Sequence, residues 1–365
     1  MIGVYLILVL MLALGYYLLL VKYGKLWDGI QNKTYEINES FTVSVLVAFR
    51  NEESNLPQLL KSFEGLETHN YKVEYVFIND HSTDNGVGLV ANALPHSNII
   101  NLQDEFGKKA AIAAGISASN GDIILQTDAD CVVPEKWLVD MIEPFQNPKV
   151  NLVSGPVQFF ESKGFWVKLI NLDFTALIAI GAAHIAWKKP LLCNGANMAY
   201  RRSLAEGFEY GTNKASGDDV FLLQHAASIS CDGFVFKKTQ DAIVYSEGPS
   251  SFSEFWNQRL RWSSKNSDYT DKLNSWILIG IWFYNLLIII SLLSFSPVGV
   301  SAAVFLIIVK IIAEDSFYGK FCGFFTDRLW FTNIFLGQPF HILYMAILPP
   351  LSQILKYKWK ERKVN

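Results

Sequence analysis

The 365-residue chain is 51% hydrophobic and 18% charged, so it is too apolar for an ordinary soluble domain and too charged for a chain embedded in lipid throughout. The net charge of −3 excludes a global positive field, and we expect no nucleic-acid partner. Four cysteines without paired spacing argue against a zinc site or a disulfide framework and are typical of reduced, cytosolic thiols.

An uncharged apolar run opens the chain between Ile2 and Val21. At about 1.5 Å per residue it can cross a bilayer core, and we interpret residues 1–24 as a transmembrane anchor. A secretory signal peptide is the alternative, but no basic residue precedes the run and no small-residue cleavage site follows it. Lys22 and Lys25 follow the run, which predicts that the next domain is cytoplasmic.

Short β-rich runs then alternate with helical stretches, and this alternation predicts a parallel sheet covered by helices within a domain at residues 40–270. The predicted strands are Val43–Phe49, Tyr75–Asn79, Asn98–Leu102 and Asp122–Thr127, and helices are expected to start near Glu53, Asp84 and Lys108. In such sheets ligands bind beyond the carboxyl ends of the strands. Residues directly after each run are therefore the candidates for a site.

The C-terminal part is again apolar and predicts a membrane bundle at residues 275–356. Its runs are Trp276–Phe295, Val298–Ile312 and Trp330–Leu355, followed by a basic tail at 357–365. Interfacial helices are expected near 166–190 and 250–265, because the apolar run Phe174–Trp187 is too short to span comfortably.

The membrane topology does not close, because three spans starting from the cytoplasm would leave the basic tail outside. One run is therefore expected to be re-entrant, interfacial or split. Pro349 and Pro350 could break the last run, and Lys310, Glu314 and Asp315 argue against the second as a simple span.

Two carboxylates, Asp128 and Asp130, emerge at the end of a predicted buried strand. Carboxylate oxygens suit Mg²⁺ or Mn²⁺, and such an ion can neutralise a diphosphate. A solvated turn is the alternative, since an Asp-x-Asp triplet also arises by chance.

Two further segments place polar groups at the same sheet edge. Asp80 ends a strand and could bind the base or ribose of a nucleotide, while Ser82 or Asp84 could cap the following helix. Lys108 lies near a helix N-terminus, where it could meet an anion, or it could belong to a solvated lysine pair with Lys109.

Asp218 and Asp219 stand at the entrance of an apolar helix. They could favour its positive end, or one of them could be a general base that deprotonates an acceptor hydroxyl. On a later helix Gln258, Arg261 and Trp262 fall at i, i+3 and i+4 and share a face, so that an arginine fork and an indole point the same way. A membrane-surface helix is the blander interpretation of that segment.

Together these segments resemble the family 2 glycosyltransferases with a GT-A fold, a group that includes polysaccharide synthases and lipid glycosyltransferases. The resemblance covers residues 42–262. It is carried by the order and spacing of Ala48–Glu52, Asp80 with Ser82–Asp84, Gly107-Lys108, Asp128–Asp130, Asn194–Asn197, Gly217–Asp219 and Gln258–Trp262.

The resemblance implies a GT-A, Rossmann-like mixed sheet with helices on both faces, an N-terminal transmembrane anchor and a C-terminal transmembrane helix bundle. It implies donor binding by Arg50, Glu52, Asp80, Lys108, Asp128, Gln258 and Arg261, and acceptor binding by Trp262. It assigns Mg²⁺ or Mn²⁺ to Asp130 and Asp128. It makes Asp219 the general base with Asp218 as a rival, because the family usually has Glu-Asp at this pair. His81 replaces a more usual acid.

The resulting hypothesis is a multi-pass cell-membrane enzyme with a cytoplasmic catalytic domain. It would transfer a sugar with inversion from a nucleotide-sugar, in the family most often a UDP-sugar, to a membrane lipid or lipid-linked acceptor. A processive polysaccharide synthase is the alternative within the class, with a glycan acceptor. A transporter or non-catalytic scaffold is the alternative outside it.

Overall fold

The computed structural model describes residues 2–160, 164–205, 217–264, 272–325, 330–355, 357–359 and 362–364. The chain divides into two compact units. The helical unit comprises Met1–Gly29, Ser162–Ala183 and Pro249–Trp359, and the α/β unit comprises Ile30–Glu161, His184–Gly248 and Lys360–Asn365.

Helices and strands alternate through most of the chain, and long helices dominate its C-terminal part. The α-helices are α1 (Ile2–Asp28), α2 (Leu56–Glu64), α3 (Gly86–Ala93), α4 (Lys108–Ala118), α5 (Trp137–Ile142), α6 (Phe165–Ala186), α7 (Arg202–Ala205), α8 (Asp218–Ile229), α9 (Phe252–Ser263), α10 (Lys272–Leu293), α11 (Pro297–Phe321) and α12 (Trp330–Ser352). The strands are β1 (Thr42–Phe49), β2 (Lys72–Asn79), β3 (Asn98–Asn101), β4 (Ile123–Asp128), β5 (Cys131–Val132), β6 (Leu152–Ser154), β7 (Val157–Phe159), β8 (Met198–Arg201), β9 (Phe234–Phe236), β10 (Val244–Ser246), β11 (Tyr357–Trp359) and β12 (Arg362–Val364). Short 3-10 helices cover Glu143–Gln146 and Gln240–Ala242.

The α/β unit is built on a seven-stranded mixed sheet in the order β3-β2-β1-β4-β8-β6-β9. Strands β3, β2, β1 and β4 are parallel, and β8 is antiparallel to both β4 and β6. The central strands β1 and β4 are almost continuously buried, as expected for strands covered on both faces. The fold is therefore the predicted mixed α/β arrangement.

The strand register brings the predicted site segments to one edge. Phe49 of β1 pairs with Asn79 of β2, and Ala48 pairs with Asp128 of β4. Because these strands are parallel, their carboxyl ends lie side by side. Arg50, which follows β1, therefore lies at the same edge as the end of β4.

A second, three-stranded sheet has the order β5-β10-β7. Its antiparallel pair β10 and β5 places Ser246 opposite Cys131, next in sequence to Asp130. Helix α4 packs on β1 and β2, and α5 packs on β4, β6 and β8. The predicted strands are confirmed, with ends that differ by at most three residues.

The helical unit contains long apolar helices. Among the described residues, five helices have the length and composition to cross a membrane, namely α1, α6, α10, α11 and α12. The last three residues of α6 belong to the α/β unit. Helix α1 packs mainly on α11, and α10 packs on α11 and α12. Many large apolar side chains of α1 stay exposed, as they do on a helix that faces lipid. The three predicted C-terminal runs are thus confirmed as helices.

Three details differ from the sequence prediction. Helix α6 begins at Phe165 and has 22 residues, so it is longer than the run Phe174–Trp187 and has the length to span. Its placement at the membrane interface stays a prediction. Helix α11 continues through Lys310 and Glu314, because these two side chains pair with each other. Helix α12 continues through Pro349 and Pro350 to Ser352, so the predicted break does not occur there. Of the basic tail, residues 360, 361 and 365 lie outside the described residues.

Candidate active site

Lys108 is the centre of a cluster of charged side chains in the α/β unit. Its ammonium donates to Asp128 Oδ1 at 2.5 Å. Gly195 lies against the same group, because a Cβ atom at this position would be 3.6 Å from Lys108 Nζ and 3.6 Å from Asp218 Oδ2. Asp219 contacts the same glycine, since its Oδ2 accepts from the Gly195 amide at 3.2 Å. The fold thus gathers one lysine and three predicted acids.

Two glycines aim the helices that carry this cluster. Gly107 precedes α4 with φ +96°, and Gly217 precedes α8 with φ +105°. Residues with a Cβ atom rarely adopt a positive φ of this size. Glycine therefore allows the sharp change of backbone direction before each helix. Lys108 and Asp218 are the first residues of their helices as a result.

The carboxylates keep Lys108 charged. Burial alone would lower the pKa of the ammonium, but Asp128, Asp218 and Asp219 outweigh it and hold the pKa well above its ordinary value. Lys108 therefore carries a permanent positive charge at physiological pH. It neutralises only part of the negative charge around it.

The two acids of α8 have different surroundings. Asp218 is 4% exposed, and its Oδ2 accepts from the Gln126 amide at 3.3 Å. Asp219 is half-buried, and its Oδ1 accepts from the Val220 amide at 2.8 Å. An acid that must reach an incoming hydroxyl needs access to it. This difference favours Asp219 over Asp218 for such a role.

Asp130 is short of positive charge. Its carboxylate accepts long hydrogen bonds from Cys131 Sγ at 3.7 Å and Ser246 Oγ at 3.5 Å. Burial, and next the charge of Asp128, raise the pKa of Asp130 to about 6. A bound cation would stabilise the ionised form of a carboxyl group in such surroundings.

Asp80 has partners within the chain. Its side chain is buried, with Oδ2 accepting from the Gly107 amide at 3.1 Å and Oδ1 lying 3.1 Å from His81 Nδ1. Asp80 thereby holds the loop in front of Lys108. A contact with the nucleotide base stays a prediction.

His81 faces two acceptors. Its Nε2 lies 2.9 Å from the carbonyl of Gln103, while Nδ1 faces Asp80, and its ring stacks on Phe106 at 4.2 Å. Both nitrogens can donate only when the ring is protonated. These hydrogen bonds raise the pKa of His81, the carbonyl of Gln103 contributing most.

The loops after β1 and β2 hold each other. The Asn51 amide donates to Ser82 Oγ at 3.1 Å, and the Thr83 amide donates back to Asn51 Oδ1 at 2.8 Å. The Glu53 amide donates to Asp84 Oδ2 at 2.8 Å. Ser82 therefore binds the neighbouring loop and does not cap α3, whereas Asp84 Oδ1 accepts from the first amide of α3 at 3.2 Å.

Arg50 and Glu52 belong to the first of these loops. Arg50 Nη1 donates to the carbonyl of Asp80 at 3.0 Å, which joins the ends of β1 and β2. Glu52 is buried, and its Oε2 accepts from the Asn55 side chain at 2.8 Å ahead of α2. Both residues shape the edge of the sheet, and their contact with a donor stays a prediction.

Gln258, Arg261 and Trp262 lie on α9, in the helical unit. All three side chains are half-buried, whereas Arg259 and Leu260 are buried. Arg259 was expected to face elsewhere, but its guanidinium contacts both Gln258 and Trp262. Their roles toward a donor or acceptor stay predictions.

Comparison with known proteins identifies the domain that carries the cluster. Residues 44–208 match the family model described as glycosyl transferase family 2. We call this part of the chain the family 2 domain because of this match. It contains Asp80, Lys108, Asp128 and Asp130.

Two relatives illustrate the similarity. A probable glycosyltransferase, YdaM, from Bacillus subtilis (strain 168) is 28% identical over 235 residues, which are 61% of this chain and 55% of the relative. A poly-beta-1,6-N-acetyl-D-glucosamine synthase from Staphylococcus aureus (strain COL) is 24% identical over 238 residues, which are 64% of this chain and 57% of the relative. The chain spans just over half the length of these curated relatives.

A solved structure has the same fold. It is a mannosyltransferase, PcManGT, from Pyrobaculum calidifontis in complex with GDP-Man and Mn²⁺. It has a TM-score of 0.57 and 16% sequence identity, and the match covers 97% of this chain and 99% of that one. The fold of the family 2 glycosyltransferase domain is therefore GT-A.

The donor atoms of the family 2 domain fit a divalent cation. Asp128 and Asp130 supply hard oxygen ligands of the kind that such a cation prefers. No cluster of three or more His, Cys, Asp or Glu side chains that could hold a metal occurs among the described residues. The remaining ligands would therefore come from a bound diphosphate or water, as is usual for Mg²⁺.

Sequence reasoning assigned no role to Asn197. It is fully buried, and its amide donates to the carbonyls of Pro156 and Ala242 at 2.8 Å each, while its Oδ1 accepts from Trp137 Nε1 at 2.9 Å. Asn197 thus ties α5 to the loops beside β6 and β10. Its place in the segment 194–197, beside Gly195, is the only signal that marks it in the sequence.

Proposed function

We propose that the protein is an inverting glycosyltransferase. It transfers a sugar from a nucleotide-sugar, with a UDP-sugar as the proposed donor, to a membrane lipid or lipid-linked acceptor at the cytoplasmic face of the cell membrane. The observation that carries the proposal is the cluster of Asp128, Asp218 and Asp219 around Lys108, at the carboxyl edge of a family 2 sheet.

Asp130 and Asp128 would hold Mg²⁺ or Mn²⁺, which supplies positive charge to the two phosphates of the donor. Lys108 keeps Asp128 in place and adds a fixed positive charge beside the diphosphate. As the leaving nucleoside diphosphate gains negative charge, this lysine stabilises it. Asp80 maintains the loop that presents Lys108, through its bond to Gly107.

Asp219 would act as the general base. The acceptor oxygen forms a bond to the anomeric carbon while the bond from that carbon to the diphosphate oxygen breaks. The proton of the acceptor hydroxyl passes to the Asp219 carboxylate. A single displacement of this kind inverts the configuration at the anomeric carbon. The half-buried position of Asp219 supports the assignment, and Asp218 would position the start of α8.

The long apolar helices support an acceptor in or on the membrane. A lipid-linked hydroxyl is already concentrated at the bilayer surface, where an enzyme with membrane-spanning helices can reach it. Lys22 and Lys25, directly after the first apolar run, favour a catalytic domain on the cytoplasmic side of the membrane.

A processive polysaccharide synthase is the second candidate. The similarity to a poly-beta-1,6-N-acetyl-D-glucosamine synthase favours it. In that case the growing glycan would be the acceptor, and the same cluster would perform each transfer. The two candidates differ in the length of the product.

One experiment tests both candidates. Detergent-solubilised protein is incubated with a panel of nucleotide-sugars, Mg²⁺ or Mn²⁺ and a membrane lipid extract, and the products are identified by mass spectrometry. A lipid that gains one or a few sugars supports the first candidate, and a long glycan supports the second. Neither transfer nor donor hydrolysis with any nucleotide-sugar would refute both and favour a transporter or scaffold.

A further inference from the structure

A network of buried polar side chains crosses the apolar helices of the helical unit. Lys310 and Glu314 of α11 form an ion pair, and Lys310 Nζ lies 2.8 Å from His341 Nδ1 of α12. Gln338 of α12 and Tyr16 of α1 both donate to Glu314, the latter at 2.9 Å. Ionisable groups are costly among membrane helices, so their presence calls for a function.

The network reaches α9 through Asp173 of α6. Asp173 Oδ1 accepts from Tyr344 Oη at 2.8 Å and lies 3.9 Å from His341 Nε2. Its Oδ2 accepts from Arg259 Nη2 at 2.6 Å. Arg259 is 3% exposed, so the ion pair is largely shielded from solvent.

The same arginine touches two of the three predicted binding residues of α9. Its Nη1 donates to Gln258 Oε1 at 3.2 Å. Its guanidinium carbon lies 4.4 Å from the centre of the Trp262 ring and 5.0 Å from that of Phe255. A planar guanidinium can hydrogen-bond at its edge and stack on its face at the same time. Arg259 therefore links Asp173 to both side chains.

The backbone of α9 has other anchors. Trp166 packs on Phe255 with ring centres 5.6 Å apart, and Ser352 Oγ donates to Ser263 Oγ at 3.0 Å. These contacts hold the two ends of the helix. Helix α9 therefore has anchors in the fold besides the ion pair. What Arg259 adds is the orientation of side chains.

We propose that Asp173 and Arg259 are positioning residues, which set the orientation of Gln258 and Trp262 for transfer. Asp173 fixes the guanidinium, and the guanidinium fixes the amide and the indole. The inference rests on the proposed function and on the roles that the family resemblance implies, Gln258 toward the donor and Trp262 toward the acceptor. It extends that function to a residue outside every segment that carries the family resemblance.

A spectroscopic test follows the indole without requiring activity. The emission of Trp262 is isolated by subtracting the spectrum of Trp262→Phe from that of the wild type, and the subtraction is repeated in an Asp173→Asn background. We expect a red shift of the Trp262 contribution in that background. An unchanged contribution would overturn the positioning role. Tyr16→Phe, which removes a bond to Glu314 and none to Asp173 or Arg259, is the matched control and should cause no shift.

A kinetic test asks whether Asp173 acts through Trp262. Transfer from UDP-N-acetylglucosamine to a bacterial membrane lipid extract is measured for Asp173→Asn, Trp262→Ala and the double variant. Misplacing a binding group by about 1 Å can cost about 100-fold, and we expect a loss of that order in kcat/KM for Asp173→Asn. In the Trp262→Ala background the same change should cost clearly less than about 100-fold, because only its effect through Gln258 remains.

The outcomes separate this inference from the proposed function. Additive losses in a wild type that transfers sugar would overturn the positioning role and leave the function intact. A red shift without transfer from any nucleotide-sugar of the panel would refute the function and retain the positioning role. Arg259→Lys keeps the charge but loses the planar fork, so it should behave like Asp173→Asn. Full activity of Arg259→Lys would contradict the proposal.

Discussion

Each of the two units contains a cluster of charged side chains. The two clusters differ in the balance between negative and positive charge. In the α/β unit three carboxylates, Asp128, Asp218 and Asp219, surround one ammonium, Lys108, and a fourth carboxylate, Asp130, lies within the field of Asp128. In the helical unit two acids, Asp173 and Glu314, meet two bases, Arg259 and Lys310, and the imidazole of His341.

This difference separates a site from a structural network. A cluster with excess negative charge is stabilised by a cation and by whatever the cation brings with it. A balanced cluster is complete without a ligand, and its members serve to fix geometry. The charge count thus distinguishes where chemistry is expected from where positioning is expected.

The largest effect should come from removing the cation site. Asp130→Asn, or a chelator, should lower transfer by at least about 1,000-fold, because the donor phosphates would meet uncompensated carboxylates. Initial rates with and without EDTA measure this. Asp232→Asn is the matched control, since Asp232 pairs with Lys188 at an exposed site, and it should keep near-normal rates. Full activity in chelator would refute the metal assignment.

The two acids of α8 should separate next. Asp219→Asn keeps size and removes basicity, so turnover should fall by about 10²- to 10⁴-fold with nearly unchanged donor affinity. Asp218→Asn should have a smaller effect, since Asp218 is buried against Gln126. Single-turnover kinetics and nucleotide-sugar titration measure the two quantities. The opposite ranking would move the base to Asp218, and normal turnover in both would remove the base from α8.

A change in the charge-balanced cluster of the helical unit should lower the free energy of unfolding. Glu314→Gln leaves Lys310 buried without its counter-charge and should destabilise the helical unit by about 3–5 kcal/mol. Lys310→Met combined with Glu314→Gln should recover most of that loss. Thermal unfolding in detergent measures both. Asp28→Asn, in the exposed pair with Lys320, is the control and should cost no more than about 1 kcal/mol. A double variant as unstable as Glu314→Gln would refute the balance argument.

The smallest effect should be a pH dependence at His81. Its pKa in the folded protein is raised above the unfolded value, so its stabilising contribution is fully present below the unfolded pKa and is lost as pH rises through the folded pKa. The melting temperature of the wild type should therefore exceed that of His81→Asn most at about pH 5.5, and the difference should shrink toward about pH 8.5. A difference that is constant over this range would show that the ring is not protonated in the fold.

The sequence predicted the central sheet well, because its strands are continuous apolar runs that end in polar residues. It missed the start of β2 at Lys72, since that end of the strand is exposed and pairs with Thr42 through the backbone alone. It also missed the first turns of α6. Asp173 interrupts the apolar pattern there, and only its partners Tyr344 and Arg259 explain why the helix continues.

The site was predicted in its residues but not in its pairings. Lys108 was expected to meet an anion, and the structure places it on Asp128, 20 residues away. Asn197 has partners 41, 45 and 60 residues away, so no local pattern could reveal its role. Pairings of this kind depend on strand register and helix entry, which a single sequence leaves open.

The reciprocal bonds between the loops after β1 and β2 also have an evolutionary consequence. The side chain of Asn51 accepts from the Thr83 amide, and the Asn51 amide donates to Ser82. The Glu53 amide likewise donates to Asp84. A substitution in one loop removes a partner from the other, so these positions should change together across homologues. A variant library that randomises one loop alone should return few folded members. One that exchanges both loops as a cassette from a single relative should return many.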